Sequence, residues 1–575
     1  MLAIVSALVY YPHMASIVGK KRDNRTYYYL VESARVGGKP RIVSQQYLGS
    51  AEEIALRLAG SAPGEPTRTQ HRAFGDVAAV WSVLERLDLV GIVDDVVGSR
   101  RGDAAASVGT YMALAVANRV VAPCSKLAFA QWWATTAGSR WVRVSAAALD
   151  HRRFWDAMNA LSAQQLVECE RRLAAAMVEV FDLDLAGLVL DMTNFATFVD
   201  SANERNTIAQ RGHAKQGRVD LRLVGLGLVV TADGGVPICS HPYAGNRPDV
   251  TQFAAVIGEL SARFGALAGD GDGLTVVYDA GMDSAANQQV IEAAGLHYVG
   301  SLVPSNHPDL LAVPKRRYKI IDEKRFPGVT AFETRVDALG AERRVVVTHS
   351  QTFHDAQTRG FAQTLAKANR QLAELTDRLA RGKTRRARPA VETNIADILR
   401  ARWLDRVITF ELTGTRPTEL RLNWHIDPAA QQRLEDEIFG KRVLFTDHHD
   451  WPIADVIASY RSQADVEAGF RQMKDPHVVS FSPMFHWTDQ KIRVHAFYCV
   501  AALAIAHLMR RQAAHTGITM SVRELLATLA GIQETVLLYQ GDSGRPRAHH
   551  ILTDTTPTQR RLFNLFDLNN YAPTR

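Results

Sequence analysis

Hydrophobic residues along the chain change period several times, and each change predicts a different kind of element. Between Tyr27 and Gly49 two β-rich runs, YYYLVESAR and RIVSQQYLG, flank Gly37-Gly38, which is the turn chemistry of a hairpin. From about Val77 to Phe181 apolar residues recur at helical spacing (VAAVWSVLERL, GTYMALAVANRVV, QQLVECERRLAAAMVEVF), with Gly, Pro and Asp between the runs. The texture shifts at Leu188. LVLD (Leu188 to Asp191) is a short apolar run ending in an acid, and Val219 to Val230 is a β-rich run that returns through Asp233-Gly234-Gly235 into VPICSH. Three strands in succession are therefore expected. Asp249 to Phe264 is amphipathic, with Asp249 and Gln252 at capping-box spacing, and predicts a helix. TVVYD (Thr275 to Asp279), a helix from about Ser284 to Ala294 and the run HYVGSL (His297 to Leu302) complete the order βββαβαβ.

A mixed sheet covered by helices is written in that order. It is the plan of an α/β, ribonuclease-H-like mixed sheet core, in which the first and fourth strands lie side by side. Asp191 is expected at the end of the first strand and Asp279 at the end of the fourth, as neighbours. The chain is accordingly divided into an N-terminal β-hairpin element (1–60), a helical N-terminal region read as DNA-binding (61–185), and the first part of the core (186–304). An inserted mostly β subdomain (305–440) and the second part of the core with C-terminal helices (441–575) follow. The insertion is expected to hold a helix over Phe361 to Ala380 and the β-rich RVITFEL and TELRLNWHI. The core resumes near Arg442 with VLFTD.

An apolar fraction of 47% and a charged fraction of 22% over 575 residues exclude intrinsic disorder for most of the chain. Cys124, Cys169, Cys239 and Cys499 are isolated, which excludes a disulfide framework and zinc-finger spacing and fits a reducing cytoplasm. Apolar stretches such as Ala496 to Ala506 fall short of the roughly 18 residues a spanning helix needs, so no membrane span is expected. The opening MLAIVSALVYY lacks the basic n-region of a signal peptide, and Met14 is read as an alternative start. The net charge of +7 favours polyanionic partners without proving them. Two basic clusters in the insertion, Lys315 to Arg325 and Arg381 to Arg388, are read as DNA-facing. Arg211, His213, Lys215, Arg218 and Arg222 suit phosphate contacts and an exposed loop face equally.

In DVEAGFRQMK, Glu467, Arg471 and Lys474 share one helix face, while Val466, Phe470 and Met473 line another. Extended backward, that helix adds Gln463 and Tyr460 to the polar face. The plain alternative is a solvated face with an i, i+4 Glu–Arg pair. What argues for chemistry is the pair of strand-borne aspartates upstream. Two aspartates and a glutamate from distant segments are hard oxygen donors of the kind Mg²⁺ takes, and two ions roughly 3.5 to 4 Å apart can act together on a phosphodiester. Asp249 is explained as a helix cap, Trp403 and Trp424 as core residues before base-stacking ones, and His448-His449 and His549-His550 as loop histidines without ligand partners. Gly225 and Gly227 do not complete a dinucleotide fingerprint.

Asp191 in LVLDMTNF, Asp279 in VVYDAGMDS and Glu467 in YRSQADVEAGFRQMK resemble the catalytic triad of the DDE transposases of bacterial insertion sequences. The sequence is similar to the subgroup whose glutamate lies in a tyrosine, arginine, glutamate, lysine signature, with a β-rich insertion before that glutamate. Tyr460, Glu467 and Lys474 match the signature in type and spacing, and Gln463 stands in the arginine place, with Arg461 and Arg471 nearby. RGHAKQGRVDLR and YAGNRPDVTQF also look like segments of this family.

The resemblance implies catalytic, metal-ligating roles for Asp191, Asp279 and Glu467, with Mg²⁺ as cofactor (Mn²⁺ as substitute) and two ions bound. It implies DNA contacts from Tyr460, Lys474, Arg471, Arg461, Lys215 and Arg218. It further implies cut-and-paste transposition in the bacterial cytoplasm, at the nucleoid: binding of terminal inverted repeats, cleavage, and 3′-hydroxyl strand transfer into target DNA by a homodimer. Two alternatives stay open, a catalytically silent DNA-binding derivative that regulates transposition and a metal nuclease without strand transfer.

Overall fold

The computed structural model describes residues 14–22, 25–36, 39–55, 65–98, 105–200, 202–213, 220–264, 273–381, 386–540 and 547–574. Residues 1–13, the Gly37-Gly38 turn, Lys215, Arg218, Lys383 and Arg385 lie outside the described residues. The chain divides into two compact units, one of Met1–Arg72, Gln533–Thr553 and Pro573–Arg575, the other of Ala73–Ile532 and Asp554–Ala572.

In the smaller unit, β1 (Met14–Arg22), β2 (Arg25–Val36) and β3 (Lys39–Ser50) form an antiparallel sheet in that order. Alternation along β2 puts Tyr27 and Tyr29 on the face where Tyr47 of β3 meets them, with ring centroids 6.2 and 5.3 Å away. The hairpin expected between Tyr27 and Gly49 is thus present, preceded by a strand the pattern had not assigned. β4 (Arg68–Ala73) closes this part of the chain.

The larger unit begins with the predicted helices, among them Gly75–Arg86, Val108–Val121 and Ala163–Phe181. The last starts at Ser162, where a Ser-x-x-Gln capping box satisfies two otherwise orphan backbone N–H groups. The core follows in the predicted order. β5 (Gly187–Thr197), β6 (Arg222–Thr231) and β7 (Pro237–Ala244) are joined antiparallel, and helix Phe253–Phe264 leads to β8 (Thr275–Tyr278). Helix Ala285–Ala293 then leads to β9 (His297–Leu302). β8 runs parallel to both β5 and β9, giving the neighbour order β7-β6-β5-β8-β9 of a ribonuclease-H-like sheet.

Two local expectations change. Asp191 is in the middle of β5 rather than at its end, because β6 pairs with β5 from Leu188 to Thr197 while β8 accompanies it only as far as Val189. Asp249 opens a short 3-10 turn (Asp249–Thr251) and the helix proper begins at Phe253, so Asp249 is not its cap. Its carboxylate instead accepts a hydrogen bond from the Tyr243 hydroxyl at 2.5 Å. Gly225 makes room for that tyrosine: a Cβ there would stand 2.2 Å from the ring, which lies across the β6–β7 pair. Gly225→Ala is therefore expected to lower stability by about 1–3 kcal/mol through overpacking, measured as a shift of the urea midpoint. An unchanged midpoint would show the Tyr243 ring free to move aside.

The stretch expected as a mostly β insertion carries more helix than strand, and part of it extends the core sheet. β10 (Lys319–Ile320), β11 (Val329–Ala338) and β12 (Ala341–Ser350) are followed by the helix Gln351–Ala380. That helix buries Phe361, Ala368, Leu372, Leu375 and Leu379, a stripe at i+3 and i+4 spacings that no strand could bury on one side. After the hairpin of β13 (Ile408–Thr413) and β14 (Arg421–Ile426), β15 (Lys441–Thr446) slots between β9 and β12. The full order is β10-β11-β12-β15-β9-β8-β5-β6-β7. Trp403 packs against Phe439 at 5.0 Å and Phe361 at 6.4 Å but is only half-buried, as is Trp424 on β14, so neither is the fully buried core residue expected.

Helices Ile453–Arg461, Gln463–Met473 and Asp489–His515 follow. By length and composition the last is long and apolar enough to cross a membrane, unlike the shorter run read from sequence, yet 94% of its apolar window is buried inside the protein. It is the core helix of this unit, packed against the helices Val108–Val121 and Ala163–Phe181 and against β7. β16 (Gln533–Tyr539) and β17 (Arg547–Leu552) belong to the smaller unit, in a sheet of order β17-β16-β4. There His550 pairs with the buried Glu534 at 2.7 Å, so it is not a bare loop histidine.

Candidate active site

The site starts from strand register. Val189 of β5 stands opposite Val277 of β8, and both strands run the same way. Two residues beyond that last pair lie Asp191 on β5 and Asp279 just past β8, each on the face to which the period-two alternation returns. β8 is buried at all four residues and stops at Tyr278, so Asp279 stands at the sheet edge, exposed, its Oδ1 accepting from the Ala280 N–H at 2.8 Å.

The third acid arrives on the helix Gln463–Met473, which lies against β5. Buried Val466, Phe470 and Met473 hold its inner face, and Lys474 at its end donates to Thr193 Oγ1 at 2.8 Å, two residues along β5 from Asp191. Gln463 Nε2 reaches the Leu190 carbonyl at 3.5 Å, so the residue in the arginine place docks the helix on β5 instead of offering a charge. The preceding helix turns Tyr460 inward, and its hydroxyl donates to Asp279 Oδ1 at 3.1 Å. Asp279, Arg442, Tyr460, Arg461, Gln463 and Glu467 line one cavity of about 290 Å³.

Glu467 is 56% exposed and faces Arg471 at 3.4 Å, the i, i+4 pair of the plain helix alternative. Arg461 is exposed and lays its guanidinium over Phe326 at 4.6 Å. Among the described residues, the three acids do not form a group with ligand atoms all within 4.8 Å of one another, and Glu467 rests on Arg471. Lys215 and Arg218 lie outside the described residues.

The donor set fits a hard divalent cation, being all carboxylate oxygen. Neighbouring groups register the concentration of negative charge. Burial and then the charge of Asp279 push Asp283 up to about 7, and its Oδ1 is buried without a hydrogen-bond partner. Burial first and Asp279 second push the Tyr460 phenol up to about 12. Tyr243 is raised by burial, by its bond to Asp249 and by the charges of Asp249 and Asp191.

Sequence reasoning missed Arg442 and Asp283. Arg442, on β15, stacks over Phe353 at 4.6 Å and Tyr460 at 5.5 Å, with Nη1 3.4 Å from the Tyr460 hydroxyl. No spacing rule reaches it, because the pairing of β15 with β9 spans the whole insertion. Asp283 had a signal, its place four residues after Asp279.

The sequence matches the family model described as transposase DDE domain over residues 184–480, more than half of the chain. No curated protein shows significant similarity. A similar solved structure is the cryo-EM structure of a piggyBac transposase synaptic complex with hairpin DNA, at 10% identity, TM-score 0.36 and 88% coverage of each chain. The matched interval opens just before β5 and closes just past the helix that carries Glu467, so with the core strand order in place the chain belongs to the family of transposases with a DDE domain.

Proposed function

We propose that the chain is the transposase of a bacterial insertion sequence, which binds the terminal inverted repeats of its element, cleaves there and joins the freed 3′-hydroxyls to target DNA. The observation that supports this is the parallel pairing of β5 and β8, which carry Asp191 and Asp279 two residues past its last pair, with Glu467 lining the same cavity as Asp279. Asp191, Asp279 and Glu467 would hold Mg²⁺, or Mn²⁺ in its place, as two ions, which when bound supply Lewis-acid stabilisation of charge on the phosphodiester.

The protein's own groups do the rest. Tyr460 orients the Asp279 carboxylate through its hydrogen bond. Lys474, fixed on Thr193 beside Asp191, presents its ammonium to a DNA phosphate, and Arg442 and Arg461 supply the cationic wall of the cavity that Gln463 does not. Arg471 and the exposed cluster from Lys315 to Arg325 extend the phosphate track, and Lys215 and Arg218 are assigned phosphate contacts from the sequence alone. In the first step the oxygen of water bonds to phosphorus and the ester bond to the 3′-oxygen breaks, leaving a 3′-hydroxyl. In the second that hydroxyl attacks a target phosphate, making one phosphodiester for each one broken, so no energy source is consumed. A homodimer in the cytoplasm, at the nucleoid, would hold the two ends.

The test is incubation of the full chain with end fragments, a supercoiled target and Mg²⁺. Cleaved ends covalently joined to target are expected, and ends that are cleaved but never joined would reduce the protein to a nuclease. End binding should also weaken steeply with salt, by roughly 10³ to 10⁵ between about 50 and 200 mM if about six to ten phosphates are neutralised. A flat response in fluorescence anisotropy would remove the basic groups from the interface.

A further inference from the structure

Apart from the acid site, the described residues bring His297, Asp447 and His448 together, with ligand atoms all within 4.8 Å of one another. His297 opens β9, and Asp447 and His448 directly follow the end of antiparallel β15, so the two segments meet although 150 positions separate His297 from Asp447. Sequence spacing had left His448 without a partner; strand pairing provides one.

We propose that His297, Asp447 and His448 form a binding site for one Zn²⁺ ion that staples β9 to β15. Two imidazoles and a carboxylate are a borderline donor set that zinc accepts and Mg²⁺, which wants oxygen, does not. His297 and Asp447 keep 43% and 30% of their side chains exposed, leaving a fourth position open to water. Tetrahedral zinc with bonds of about 2.0–2.2 Å holds its ligand atoms roughly 3.4 Å apart, so the rings close in modestly on binding.

The surroundings already orient the ligands, as outer groups do at metal sites. Asp447 Oδ1 accepts from the Tyr298 N–H at 3.0 Å while Oδ2 meets His297 Nδ1 at 2.8 Å. His448 stacks on Trp451 with centroids 3.7 Å apart, its Nε2 is 2.8 Å from Thr275 Oγ1, and Arg344 donates to its carbonyl at 2.6 Å.

This site is separate from the acids. Thr275, its neighbour, starts β8 and Asp279 follows the end of that strand, about 13 Å away at ~3.3 Å per residue. The ion would sit where the chain re-enters the sheet after residues 351–440, fixing the segment that leads on to Tyr460 and Glu467.

The experiment uses the full chain, stripped with chelator and titrated with Zn²⁺ by calorimetry in excess Mg²⁺. One equivalent of Zn²⁺ is expected to bind and raise the melting temperature, in wild type and in Glu467→Gln alike, and to be lost in His297→Ala and His448→Ala. Uptake that is absent from wild type, or that survives His297→Ala, overturns the proposal. Should the variants misfold, Co²⁺ added to the wild type decides: intense tetrahedral visible bands support the site and their absence refutes it.

Discussion

Glu467→Gln is expected to reduce strand cleavage by roughly a thousandfold or more while end binding stays near wild type. Losing one carboxylate ligand removes several kcal/mol of charge stabilisation at the phosphodiester, and each ~1.4 kcal/mol is a factor of ten in rate. The glutamine keeps the size of the side chain, and at a position 56% exposed the substitution should shift stability by no more than about 0.5 kcal/mol. Loss of activity therefore cannot be assigned to unfolding, and a matched melting curve checks this. Single-turnover cleavage of a labelled end and anisotropy on the same DNA separate chemistry from binding. Cleavage within a few-fold of wild type would remove Glu467 from the site and leave Asp191 and Asp279 to be explained as structural residues of β5 and of the turn after β8.

The core was legible because its period changes are clean. Helical spacing gives way at Leu188 to the short apolar run LVLD, and TVVY and HYVGSL are short apolar runs of the kind a doubly covered parallel strand requires. The order of elements also makes β5 and β8 parallel neighbours, the strands with which Asp191 and Asp279 are associated. What sequence did not carry is whatever depends on pairing across the insertion. β15 returns between β9 and β12, and this one event delivers Arg442 to the cavity and Asp447-His448 to His297. A window of residues cannot encode a neighbour 150 positions away. The helix Gln351–Ala380 was partly seen, but its first turns follow β12 without a break, and only the cap at Ser350 marks the boundary. Gln463 shows the converse limit. As a letter in the arginine place it reads as a lost charge, whereas its amide reaches β5 at the Leu190 carbonyl and the cavity it lines also carries Arg442 and Arg461.

Lys126→Met is expected to stabilise the protein by about 3 kcal/mol at neutral pH and below. Lys126 is buried with no hydrogen-bond partner for Nζ, and its ammonium rests over Tyr498 at 4.4 Å and Phe154 at 5.1 Å. Burial, and then the charge of Arg119, lower its pKa from 10.5 to about 7, while the Cys499 and Cys124 thiols oppose this weakly. The sign follows from proton counts. Between about 7 and 10.5 the unfolded chain binds a proton that the folded one does not, so stability falls as pH drops through that window and levels off below about 7. The full penalty, about 5 kcal/mol at ~1.4 per pH unit, is partly offset by the two aromatic faces, worth roughly 1–2 kcal/mol. Methionine matches the length of the lysine stem and keeps favourable sulfur–aromatic contact with the same rings, so it removes the penalty without opening a cavity. Unfolding in urea at about pH 6.5 and about pH 10 should therefore show a large gain for the variant at the lower pH and almost none at the higher. A gain equal at both values would mean that packing, not the buried charge, limits stability here, and a loss at both would mean that the cation on Tyr498 is a net support of the helical region.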